Sequence, residues 1–151
     1  MAASRRRGSL RPGRDGGARL AHAARRVLAW EGARGARIEL ALLDATAMRR
    51  LNRRVTGRRA LTDVLAFALP QPDGTLLGEV CICPAAAERW VRSGGRGKGD
   101  EGRVEEELVR LTVHGTLHVL GYDHPDGPGR TRSRMWRRQE RHVRRLMAGA
   151  P

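Results

Sequence analysis

Residues 114–124 read HGTLHVLGYDH. His114 and His118 are four apart, so on a helix they stand on one face, a turn from each other. Gly121 follows three residues later, where a helix ends and the chain can turn back through a left-handed residue. That return brings His124 within reach of the same point. Three neutral imidazoles with a fourth position left open are the donor set of a catalytic rather than a closed structural zinc site. The expectation is one zinc ion per chain, held by His114, His118 and His124 and placed to activate water.

The ligand offsets 0, +4 and +10, with glycine at +7, match those of the metzincin proteases, H-E-x-x-H-x-x-G-x-x-H. Those proteases carry a glutamate general base where this chain has Gly115. Glycine accepts no proton, so a metal-dependent peptidase is the least favoured reading and the chemistry lies elsewhere. The two remaining histidines, His22 and His142, fall on arginine-rich helical stretches and read as exposed side chains.

Working outward from this run, residues 101–120 form a long helix with Glu101 and Glu105–Glu107 at its positive end. An arginine-rich helix over 131–147 follows a Pro/Gly loop at 125–129. Upstream, a helix is expected over 18–31 and a half-buried strand over 37–43, where Ile38, Leu40 and Leu42 alternate with polar neighbours. Asp44 is placed to cap a short helix ending near 54. Strands over 62–68 and 76–83, joined through Asp73-Gly74, read as a hairpin. Pro84 suits the first turn of a helix to about 92, and 93–100 reads as a flexible loop. The fold class is α+β: a single mixed β-sheet packed against several helices, with the zinc site at the end of the helix bearing HxxxH. Domain organisation reads as a disordered basic tail (1–17), one metal-dependent hydrolase domain (18–147) and a short tail (148–151).

The chain has 151 residues, 40% of them apolar, enough for one domain with its own core. It contains no run of the roughly 20 apolar residues a membrane span needs. The N-terminal arginines are not followed by a signal-type apolar segment, so a cytoplasmic protein is expected. Cys81 and Cys83, two apart on an expected strand, read as reduced apolar residues. The formal charge is +14. Most of it lies at the two ends, in residues 1–17 and 130–147, and such basic segments attract nucleic-acid phosphates. Of 30 basic residues all but Lys98 are arginine, so GC-rich codon usage is a competing source of the charge.

HGTLHVLGYDH resembles the signature of the YbeY family, H-G-x-L-H-L-x-G-Y-D-H. A second stretch, LNRRVTGRRALTDVLAF (51–67), is similar to the family's L-N-x-x-Y-R-G-x-D-K-P-T-D-V-L-S-F without a gap. LGEVCIC (77–83) resembles L-G-D-I-x-I-C, and Met135, Gln139 and Glu140 suit the family's last helix. The resemblance covers about 36–147. It implies an α+β fold with a zinc site beside a cleft and hydrolysis of single-stranded RNA. The implied setting is ribosomal RNA maturation, with processing of the small-subunit rRNA 3′ end and ribosome quality control. The family's arginine in the second motif falls on Thr56; Arg58 and Arg59 are the nearby candidates for phosphate contact. No general base is identified, and Asp123, beside a ligand, is a candidate to orient a histidine. The alternative to a nuclease is a non-catalytic ribosome assembly factor that keeps zinc as a structural element. Ribosomal RNA or a ribosomal subunit is the expected partner, and the sequence leaves oligomeric state open.

Overall fold

The computed structural model describes residues 14–94 and 101–149. The elements are α1 (Arg14–Trp30), β1 (Ala36–Leu42), α2 (Ala45–Thr56), β2 (Val64–Pro70), β3 (Leu76–Ile82), α3 (Pro84–Arg92), α4 (Glu101–Val119), a short 3₁₀ helix (Gly127–Arg132) and α5 (Arg134–Met147). The three strands form one mixed sheet in the order β1-β3-β2, with β1 parallel and β2 antiparallel to β3. The α+β class and the β2–β3 hairpin are as the sequence indicates.

Several boundaries differ for local reasons. Helix α1 begins at Arg14 rather than 18, so residues 14–17 are helical and not part of a disordered tail; residues 1–13 lie outside the described residues. The same holds for 95–100, most of the expected 93–100 loop. Strand β2 runs two residues later than expected and includes Pro70. Proline is tolerated there because β2 is an edge strand with one side free of ladder bonds. The expected helix over 131–147 is two pieces. Ser133 separates them, its hydroxyl accepting from Trp136 N at 3.1 Å as the N-cap of α5.

Helix α4 is the centre of the molecule. One of its flanks, with Val109, Val113 and Leu117, packs on Leu20 and Val27 of α1 and on Met135 and Val143 of α5. Another, with Leu111 and Val119, packs on Val80 and Ile82 of β3. A helix apolar on nearly all sides must be covered on all of them. Its buried threonines Thr112 and Thr116 satisfy their hydroxyls by donating to carbonyls four residues back.

Two glycines permit close contact between α4 and β3. A Cβ at Gly115 would stand 2.5 Å from Val80 Cγ1, and one at Gly78 would stand 2.5 Å from Val119 Cγ1. The missing metzincin glutamate thus has a packing cause: at position 115 α4 rests directly on the sheet.

Candidate metal centre

The end of α4 builds the site. Gly121 has φ +97°, and its N–H bonds the carbonyl of His118 while Tyr122 N–H bonds that of Leu117. These paired bonds form the Schellman stop, which needs a left-handed residue at this position. The chain then reverses, and His124 returns to the face that carries His114 and His118.

The three rings converge through their Nε2 atoms. His114 Nε2 lies 3.0 Å from His118 Nε2 and 3.4 Å from His124 Nε2. Each Nδ1 faces an oxygen that can only accept: Gln139 Oε1 at 2.7 Å for His114, Tyr122 O at 3.0 Å for His118 and Pro125 O at 3.1 Å for His124. The ring protons therefore sit on Nδ1, and three lone pairs point at one another across the gap. Neither Nε2 contact is then a hydrogen bond. Left as they are, the lone pairs repel; around one tetrahedral cation with bonds of 2.0–2.1 Å, nitrogens stand about 3.3 Å apart, close to the spacing observed. The donor set and its spacing fit a metal ion.

Electrostatics point the same way. Burial pushes the His114 imidazole down to about 4; the Gln139 bond opposes this, and the charges of His118, Arg130 and His124 add to it. His118 is also lowered, first by burial and then by His124. At neutral pH both rings are uncharged, the form that binds a metal.

Asp123 does not orient a histidine ring: its Oδ1 accepts from the backbone N–H of His124 at 2.8 Å and so shapes the turn. Arg58 and Arg59 lie exposed after α2, and neither lines the cavity of about 200 Å³ beside His114. Among the residues that do are Asp63, Trp90, Arg110, Arg130, Trp136 and Gln139. Burial raises the Asp63 carboxyl above its usual range. Thr56, at the position of the family's arginine, donates its hydroxyl to Asn52 O at 2.8 Å and ends α2. Arg130 is the cation whose field reaches both His114 and His118. Sequence reading missed it because one arginine among many carries no spacing signal.

His142 is another correction. It is not exposed but 4% accessible, donating Nε2–H to Glu31 Oε1 at 2.6 Å. Glu31 also accepts from Arg138 Nε at 2.6 Å and from Tyr122 O–H at 2.9 Å. Through Tyr122 this cluster anchors the segment whose carbonyl takes the His118 proton. His22 is exposed, as expected. Cys81 and Cys83 are buried free thiols.

Fold and site together define a small α+β protein with a three-histidine centre, competent to hold one metal ion, at the C-terminal end of its central helix. The chain belongs to the YbeY family, whose model, described as Endoribonuclease YbeY, matches residues 18–147. It is similar to proteins named Endoribonuclease YbeY from Renibacterium salmoninarum (38% identical over 99 residues, 59% of this chain and 59% of the relative) and Anaeromyxobacter sp. strain Fw109-5 (41% over 114 residues, 74% and 56%). A third, from Helicobacter pylori, is 40% identical over 98 residues, 64% of each chain. The matched part thus spans less than two thirds of these relatives. The solution structure of TM1509 from Thermotoga maritima is similar at TM-score 0.58 and 26% identity, covering 91% of this chain and 87% of that one.

Proposed function

We propose that this chain holds one zinc ion with His114, His118 and His124 and is a cytoplasmic endoribonuclease of single-stranded RNA. Its setting would be ribosomal RNA maturation, with processing of the small-subunit rRNA 3′ end and ribosome quality control. The observation that carries the reading is the convergence of three Nε2 lone pairs whose rings are each oriented by an acceptor at Nδ1. The name borne by the relatives supports the reaction class. No described helix is long and apolar enough to cross a membrane.

When bound, zinc supplies Lewis acidity toward a phosphoryl oxygen and toward water. The chain supplies the rest. Burial keeps His114 neutral. Arg130, exposed at the cavity beside His114, offers positive charge to a phosphate; Arg58 and Arg59 are further phosphate contacts along the strand. Asp63 lines the same cavity, and its raised carboxyl suits it to hold or pass a proton. The peptidase reading has no support: the position of its general base is Gly115, packed on Val80.

The test is cleavage of an unstructured RNA by zinc-reconstituted protein beside a His118→Ala variant shown to be folded. The proposal expects cutting by the intact protein alone. Equal cutting by the variant would refute metal dependence. Zinc bound one to one without cutting by either would leave a structural zinc in a non-catalytic ribosome-associated factor.

A further inference from the structure

We propose that Gln139, held by Glu140 and Arg110, is a positioning residue that fixes the ring tautomer of His114 before any metal arrives. Its purpose rests on the metal reading above; its geometry does not.

Gln139 is 1% accessible on α5, opposite the face of α4 that carries His114. An amide has a donor end and an acceptor end, so its orientation decides what it demands of a neighbour. Gln139 Nε2 donates to Glu140 Oε2 at 3.1 Å, which leaves Oε1 facing His114 Nδ1 at 2.7 Å. Turning the amide over would set its oxygen against the Glu140 carboxylate with no proton between them. Glu140 therefore selects the orientation.

Glu140 is itself fixed. Arg110 Nε donates to its Oε2 at 2.9 Å and its Oε1 at 3.2 Å, and Nη2 donates to Oε1 at 3.0 Å. The guanidinium, 7% exposed, also reaches Glu107 at 3.2 Å and Glu106 at 3.1 Å. Burial works against its charge, but these three carboxylates more than offset that and raise its pKa. The cation is permanent and only donates, so the direction of every bond in the relay is set by a group that cannot change its role.

The consequence falls on His114. A free neutral imidazole carries its proton on either nitrogen. Opposite a fixed acceptor, Nδ1 must carry it, and Nε2 must present a bare lone pair to His118 and His124. Arg110 and His114 are one helical turn apart on α4, and Gln139 and Glu140 are neighbours on α5, so the relay closes within one turn of each helix. Because the buried amide has its oxygen at one ring and its nitrogen at one carboxylate, a leucine of similar bulk could fill its place but could not perform this role.

Long-range proton–nitrogen correlation spectra of the isotope-labelled, metal-free protein at mildly alkaline pH read the tautomer directly. The expected result is His114 protonated on Nδ1. In Gln139→Leu, checked for folding by circular dichroism, an Nε2–H population should appear at His114 while His118 and His124 keep their tautomers. Zinc affinity, read by chelator competition, should fall about 10–100-fold. Gln139→Glu combined with Glu140→Gln keeps an acceptor for Nδ1–H without setting two carboxylates against each other, and should restore most of that affinity. Nε2–H at His114 in the intact protein would overturn the proposal without any variant. So would a folded Gln139→Leu that binds zinc within twofold of the intact protein. Failure of the intact protein to take up zinc, with His114 protonated on Nδ1, would overturn the metal reading and leave the tautomer assignment standing.

Discussion

Glu31 sits far from the histidines in sequence, yet its carboxylate, 6% exposed, accepts from Arg138, His142 and Tyr122. A buried charge with three donors loses heavily when it is removed, because the donors are stranded with it. Glu31→Gln should lower stability by about 2–4 kcal/mol in urea unfolding near neutral pH. Burial by itself would raise the Glu31 carboxyl, but the bonds from Arg138, His142 and Tyr122 win and hold it below its ordinary 4.5. With the folded pKa below the unfolded one, the stabilisation is complete above about pH 4.5 and fades as pH falls through the folded value. The gap in melting temperature between intact protein and Glu31→Gln should therefore be wide at neutral pH and narrow once the pH falls below the folded value. A gap of equal size at both would contradict the account. None of this was legible beforehand. Glu31 is one acid near a helix end, and its partners are 91 to 111 residues away. His142 was misread for the same reason: an arginine-rich helix looks solvated until its inner face is known. The metal triad, by contrast, was readable because its spacing is local to one helix and its stop.

At the scale of elements, α5 shows how one helix can be strongly basic and still half interior. Met135, Gln139, His142 and Val143 form its buried face, with Gln139 and His142 serving the networks behind His114 and His118. Arg138 is spent on Glu31, and Arg145 lies over the Trp30 ring, 3.9 Å from its centroid. Arg134, Arg137, Arg141 and Arg144 remain exposed. This division was not legible in the sequence, because arginine spacing alone does not tell a carboxylate-bound residue from a solvated one. If the exposed arginines track RNA, Arg137→Ala with Arg141→Ala should flatten the dependence of RNA binding on salt by up to about two units of log–log slope. The melting temperature should not change. An unchanged slope would return these residues to codon usage. The strand and helix order was legible from periodicity. The boundaries that moved, at Arg14, Pro70 and Ser133, depend on edge position and capping, which periodicity does not encode.

For the whole molecule, the arrangement has one logic. A three-stranded mixed sheet supports a central helix, two glycines let them touch, and α1 and α5 close the remaining sides. The stop at Gly121 is thereby held against the core, and the three imidazoles meet beside it. A metal bound there stabilises the fold by an amount that grows with the logarithm of its concentration over the Kd, about 4 kcal/mol at a thousandfold excess. The measurement that tests this most directly is a calorimetric titration of the metal-free protein with zinc, beside folded His114→Ala, His118→Ala and His124→Ala variants. One equivalent bound by the intact protein, with a raised melting temperature and greatly weakened binding in every variant, is the predicted result. No zinc uptake by the intact protein, or undiminished uptake by the variants, would contradict it.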